Sequence, residues 1–245
     1  MKNLTDKQFW AKYWSTKKAT TIVTSRYAFQ DLFNEILTKK IDGTMLEVGG
    51  FPGYFAVFFH KFWGYKTTLL DYFVDKKFLS KVWSANSIKS EAIKVIESDF
   101  FSYTTKTQYD LVFSLGFIEH FDDTSDVISR HWRLVAKGGE LLIVYPNFLG
   151  LNGHMQLAWD PDNLNKHNLE SMYISRIKNY LKDLKISNAK VFYWGGLRVW
   201  LEDLPSRSLW QKFVVVSLYA LGLLIKSLGF NSKFLSPYIV IYAIK

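Results

Sequence analysis

Residues 46–53 read Leu46-Glu47-Val48-Gly49-Gly50-Phe51-Pro52-Gly53, and eighteen residues past Gly53 an apolar run ends in Asp71. The pattern places a carboxylate and a glycine-rich turn at the mouth of one buried strand. It places a second carboxylate at the mouth of the next. A nucleoside-bearing ligand fits that arrangement, because backbone approaches one part of it and an acid accepts hydrogen bonds from its ribose hydroxyls.

Outward from this stretch, strand-like and helix-like segments alternate from about residue 26 to 200, the rhythm of a parallel sheet covered by helices. The expected strands are 44–48, 66–71, 92–96, 109–114, 140–145, 190–194 and 237–244. Residues 54–63 read as a helix stopped by Gly64, and Asp122 or Asp123 caps another that runs to about residue 136, before Lys137-Gly138-Gly139. After Pro146 the rhythm breaks. Residues 147–165 are rich in Asn, Gly, Asp and Pro and read as a long loop, followed by a helix over 168–184. Loops of that length usually act as lids or binding segments. Residues 213–225 carry no charge and are bracketed by Lys212 and Lys226. They are too few to span a bilayer comfortably. They read either as a buried or dimer-forming helix or as an interfacial helix with its lysines at lipid headgroups.

The 245 residues suffice for one sizeable α/β domain. With 49% hydrophobic and 22% charged residues the chain is globular rather than disordered. There is no cysteine. This removes disulfides, thiolate catalysis and Cys-ligated metals, and is compatible with a reducing cytoplasm. No h-region is visible near the amino terminus, so no signal peptide is expected. The net charge of +9 is scattered rather than striped, and a nucleic-acid partner is not expected. The 9 Trp, 14 Tyr and 20 Phe can line a groove, though most should pack the core.

Nicotinamide and flavin binders use Gly-x-Gly-x-x-Gly so that helix-end amides receive a pyrophosphate. Here Glu47 precedes Gly49-Gly50-Phe51-Pro52-Gly53, and a carboxylate repels a pyrophosphate. It favours the ammonium and sulfonium of S-adenosylmethionine. Pro52 also pushes Phe51 toward extended geometry. The loop must therefore take a negative-φ path, with the Phe51 ring packed inward or laid on the ligand.

These residues resemble the first motif of class I S-adenosylmethionine-dependent methyltransferases, in the branch of quinone, glycan and other small-molecule enzymes. Four further signals extend the resemblance across about 44–146. Asp71 matches the acid on the ribose, and Asp99-Phe100 matches the pair at the adenine. The run 109–121, including Leu115-Gly116 and Glu119-His120, matches the fourth strand and its cofactor-facing turn. The run 134–141 matches the double-glycine entry to the fifth strand. The resemblance implies a Rossmann-like, seven-stranded, mostly parallel sheet with helices on both faces and an antiparallel closing strand. It implies one methyltransferase domain over 1–245, with a helical cap (1–40), a donor-binding core (41–146), an acceptor loop and helix (147–187) and a hydrophobic helical insertion (203–232).

The cofactor it implies is S-adenosylmethionine, held by Glu47, Gly49, Gly50, Gly53, Asp71, Asp99, Phe100, Leu115 and Gly116. The aromatic run 9–14 resembles a helix that closes over the donor. The expected reaction is O-methylation of a small-molecule or glycan acceptor; an inactive donor-binding protein and an RNA methyltransferase are the alternatives. His120 is the first candidate base and His154 the second, with His167 next. Equally, Glu119-His120 can simply order its turn. Asn147, Asn152, Gln156 and Trp159 are candidates for hydrogen bonds to a polyhydroxyl acceptor, and Arg198 for an anionic group. No metal is expected, since Ser114 interrupts the acids that metal-assisted catechol methylation would need at that strand end. A cytoplasmic protein, peripheral membrane contact through 213–225 and a homodimer complete the expectations.

Overall fold

A computed structural model describes residues 4–17 and 20–245. Seven strands form one sheet: β1 (Thr44–Val48), β2 (Lys66–Asp71), β3 (Lys94–Glu97), β4 (Tyr109–Leu115), β5 (Val135–Pro146), β6 (Ala189–Trp194) and β7 (Tyr238–Ile244). Their order is β3-β2-β1-β4-β5-β7-β6. The helices are α1 (Lys7–Thr16), α2 (Gln30–Ile36), α3 (Tyr54–Phe58), α4 (Lys76–Ala85), α5 (Thr124–Leu134), α6 (Leu151–Trp159), α7 (Pro161–Leu164), α8 (Ile174–Asp183) and α9 (Leu209–Ser227). This is the Rossmann-like, seven-stranded architecture expected from the sequence.

By contacts the chain forms two compact units. Among the described residues, one comprises Thr5–Phe117, Ile128–Ile143 and Tyr242–Lys245, and the other Leu4, Ile118–Val127 and Val144–Ile241. In the first unit β1 lies parallel to β2 and β4, with Glu47 opposite Leu69 and Phe113, and β2 lies parallel to β3, with Asp71 opposite Glu97. Parallel register brings the carboxyl ends of these strands to one edge, the side where open α/β sheets bind ligands. Apolar residues bury both faces, as parallel strands require. Phe33, Phe55, Phe59 and Phe113 meet with ring centroids 4.9–6.0 Å apart, so much of the aromatic content is core. After α3 the helix widens into a π turn, Phe59–Trp63, and ends at Gly64 with φ +74°.

β7 runs antiparallel to β5. Gly138 N–H donates to the Lys245 carbonyl in the first unit, and Asn147 N–H donates to the Pro237 carbonyl in the second, so one strand ascends as the other descends. β5 begins at Val135, directly after α5 ends at Leu134. Lys137-Gly138-Gly139 therefore lies within the strand, not at a helix stop. Position 138 takes φ +72° there with open space around it, while a Cβ at Gly139 would strike the carbonyls of Ala136 and Tyr109 at 2.9 Å.

The second unit departs more from expectation. The stretch read as a long loop over 147–165 is largely helical, as α6 and α7. Its Asn and Gly residues misled the reading because several are satisfied by long-range partners rather than by turns. α9 is also not a buried helix. It packs a narrow stripe, with Val215 and Leu218, against Val199 and Leu201. Leu209, Trp210, Phe213, Val216, Leu223 and Leu224 each remain more than half exposed.

Candidate active site

The glycine turn after β1 is folded over Glu47. Glu47 is 2% exposed, and its Oε2 accepts the Ala56 amide at 2.7 Å. Burial, reinforced by the charge of Asp71 and opposed by the Ala56 amide, pushes its carboxyl up to about 8. The Cβ that any other residue would carry at position 50 falls 2.1 Å from Glu47 Cδ, so only glycine lets the acid sit beneath the loop. At position 49 φ is +65° and a Cβ would lie 2.2 Å from the Phe117 ring. Gly53, at φ +82°, caps α3.

Phe51 takes the negative-φ path, and its ring packs inward. It is 5% exposed and contacts Trp14, Phe73 and Phe78 at centroid distances of 5.3, 5.6 and 6.0 Å. The Phe51 amide donates to Asp71 Oδ2 and the Phe73 amide to Asp71 Oδ1, each at 2.9 Å. Asp71 thus braces the glycine turn, and its remaining lone pairs are available to hydroxyl donors. Burial raises its carboxyl to about 6, against the lowering effect of the Phe73, Phe51 and Tyr72 amides.

Two residues past β3, Asp99 Oδ1 accepts the Phe101 amide at 2.8 Å. Phe100 is buried edge-on against Phe117, with centroids 5.4 Å apart, and beside His131. Leu115 and Gly116 form the partly exposed end of β4, with φ +66° at Gly116. The cofactor residues expected from sequence therefore lie at or beside the carboxyl ends of β1 to β4.

Three features of this unit escaped the sequence reading. Phe117 occupies the space next to Gly49. Tyr27, whose phenol is raised chiefly by burial, lies close enough to Glu47 for that acid to raise it further. Trp14 seats α1 on Phe51, while Lys7 pairs with Glu97 at 2.7 Å and lies over Tyr72. The aromatic spacing of 9–14 signalled only that such a helix existed; its seat depends on strand-end residues far along the chain.

The candidate bases belong to the other unit. His120 is buried, and its Nδ1 donates to the Lys166 carbonyl at 2.9 Å. Burial first, then the neighbouring His167 and the Lys166 charge, lowers the imidazole to about 3. Its ring lies 4.9 Å from that of His167. His154 is exposed on α6, with Nδ1 on the Gly150 carbonyl. The structure thus groups His120 with His167, not with His154.

Among the polar residues expected to meet an acceptor, Asn147 is structural. Its amide donates to the Lys233 and Ser236 carbonyls, and its oxygen accepts the Leu149 amide. Gln156 is likewise bound to the Trp200 carbonyl and to Asn163. Trp159 packs on the Val199 cluster, and its carbonyl accepts from Arg207. Of these, only Asn152 keeps both side-chain polar atoms buried without a partner among the described residues. Arg198 lies over the Tyr219 ring.

A family model described as "Methyltransferase domain" matches residues 22–184, about two thirds of the chain. The chain belongs to this methyltransferase family. A search of the curated proteins finds no match. Among solved structures it is similar to Haemonchus contortus phosphoethanolamine N-methyltransferase 2 in complex with S-adenosyl-L-methionine (TM-score 0.63, 16% identity), covering 98% of this chain and 57% of that one. It is similar to an S-adenosylmethionine-dependent methyltransferase from Archaeoglobus fulgidus (TM-score 0.57, 18% identity), covering 88% and 91%. A third, from Mesorhizobium loti, aligns with TM-score 0.59 and 12% identity, covering 90% and 99%. The methyltransferase thus spans little more than half of the Haemonchus contortus enzyme's length but nearly all of the other two, and its fold is that of the class I S-adenosylmethionine-dependent enzymes.

Proposed function

We propose that this methyltransferase binds S-adenosylmethionine at the carboxyl ends of β1 to β4 and transfers its methyl group to an oxygen of a small molecule or glycan precursor. The observation that carries the reading is Glu47, a buried carboxylate beneath a glycine turn whose Oε1 takes no hydrogen bond from any described residue. Such an acid favours a cationic partner. Asp71 supplies acceptors for vicinal hydroxyls, while Asp99 and Phe100 supply an acceptor and an apolar edge for an aromatic base.

The bound donor supplies an activated methyl on a positively charged sulfur. With the donor bound, an acceptor oxygen would take that methyl, the sulfur would keep the electron pair of the broken C–S bond, and the hydroxyl proton would leave to a base or to water. The protein's contribution is orientation and exclusion of water. Glu47 would hold the amino-acid end and Asp71 the ribose, while the Phe51 ring packs behind the turn. Neither histidine proposed as a base is well suited to the task. His154 is solvated, and the depressed basicity of His120 makes it a poor proton acceptor at neutral pH.

Calorimetric titration with S-adenosylmethionine, followed by release of S-adenosylhomocysteine over a panel of hydroxyl and amino acceptors, tests the reading. Saturable binding with turnover of a hydroxyl acceptor is expected. Binding without turnover on any acceptor would favour an inactive donor-binding protein, and turnover of amines alone would overturn the assignment to oxygen.

A second reading concerns α9. It is long and apolar enough to cross a membrane by length and composition, yet only 11% of its most apolar window is buried. Exposed apolar area of this kind marks a contact surface. Lys212 and Lys226 lie near its two ends, and Lys233 follows it. We infer peripheral contact with anionic lipid, which would suit an amphiphilic acceptor.

A further inference from the structure

Outside the donor site, Glu119 and His120 stand on a short 3-10 turn, Ile118–His120, and His167 follows α7 in the same compact unit. The ligand atoms that these three residues offer all lie within 4.8 Å of one another. His120 Nδ1 donates to the Lys166 carbonyl at 2.9 Å, and His167 Nδ1 to the Asn163 carbonyl at 2.8 Å. A carbonyl only accepts, so Nδ1 carries the proton in both rings and Nε2 carries the lone pair. Backbone carbonyls hold metal-binding imidazoles in this same tautomer.

Glu119 is 1% exposed, and its Oε2 has no hydrogen-bond partner among the described residues. A carboxylate oxygen buried in that state is costly unless a positive group meets it. The frame around it is well tied. Asn168 N–H donates to the Glu119 carbonyl at 2.6 Å, and Asn168 Nδ2 to the Phe121 carbonyl at 2.9 Å. These bonds lock the segment bearing His167 against the turn that bears the other two residues. Phe148 closes one side, with its ring 4.8 Å from His167.

We propose that Glu119, His120 and His167 form a site for one divalent transition-metal ion, bound through both Nε2 atoms and the Glu119 carboxylate. Two imidazoles and one carboxylate suit zinc, iron(II) or manganese and leave at least one coordination position open for an oxygen ligand. That site stands on its own geometry. At the end of β4, Ser114 interrupts the acids that a metal site there would need. This cluster lies five residues beyond that serine and is completed by a histidine 47 positions further on.

The test uses tag-free full-length protein, stripped with chelator and titrated with Co²⁺ and Zn²⁺, alongside Glu119→Gln and His167→Gln. One equivalent of Co²⁺ with visible d–d absorption is expected, together with displacement by Zn²⁺. Each variant should bind at least about tenfold more weakly while retaining S-adenosylmethionine affinity, which also reports on folding. Should His167→Gln fail to fold, the near-isosteric Glu119→Gln still decides. No saturable metal binding by the native protein, or unchanged binding by a folded variant, would overturn the site. Metal binding without S-adenosylmethionine binding would leave the site standing and remove the methylation reading.

Discussion

At the residue scale, Glu47 carries opposing demands of stability and function. Its folded carboxyl titrates near 8 against an ordinary value of 4.5. The folded state therefore holds the proton more tightly than the unfolded chain, and stability is lost as pH rises from about 4.5 to 8. At pH 7 that cost is about 3 kcal/mol. Glu47→Gln should raise the melting temperature of the ligand-free protein by several degrees at pH 8, measured by calorimetry. The same change should weaken S-adenosylmethionine binding about tenfold to a hundredfold, through loss of a charged partner. In the native protein a cationic donor needs the ionised acid, so a proton must leave on binding below pH 8. Affinity should then rise with pH by up to about tenfold per unit between 6 and 8, and stay flat in Glu47→Gln. A flat native profile would remove Glu47 from the donor site. Gly50→Ala tests the neighbouring claim. Its Cβ would displace the Glu47 carboxylate, so donor affinity should fall at least about tenfold with the far-ultraviolet spectrum unchanged.

Individual elements matter chiefly through what seats them. The turn between β1 and α3 is held by Asp71 on one side and by the Phe51 ring against Trp14, Phe73 and Phe78 on the other. Removing a buried phenylalanine ring costs about 3–5 kcal/mol. Phe51→Ala should lower unfolding stability by that order in urea titration and weaken donor binding together with it. Trp14→Ala removes only the contact from α1, a helix with no buried residue. It should weaken donor binding while leaving global stability within about 1 kcal/mol. Equal losses of stability in both variants would show that α1 belongs to the core rather than covering the strand ends.

For the whole molecule, the exposed apolar face of α9 is the feature that a purely soluble catalytic domain least requires. Replacing Phe213, Val216 and Leu224 by glutamine, all exposed, should abolish co-flotation with vesicles containing anionic lipid and leave S-adenosylmethionine binding intact. Added salt should weaken flotation of the native protein without abolishing it, because apolar insertion persists when the lysines are screened. A native protein that does not float but sediments as a dimer would assign the face to a second copy.

Local chemistry was enough to place the strand-end residues proposed to hold the donor. Glu47, Gly49, Gly50 and Asp71 act within a strand and its own turn, so their spacing carries their placement, and the steric limit at Phe51 follows from the proline beside it. Other assignments depended on partners far along the chain. Asn147 and Gln156 resemble exposed acceptor ligands until their bonds to residues 86, 89 and 44 positions away are known. α9 has the composition of a buried helix, and only the narrow stripe it packs shows otherwise. His120 looked like a lone base until folding set it beside His167. Sequence by itself determined where the strands end and which acids stand there, because backbone period and glycine sterics are local. Tertiary structure alone decided which polar groups are already satisfied and which apolar surface is left over, because both depend on contacts between distant segments.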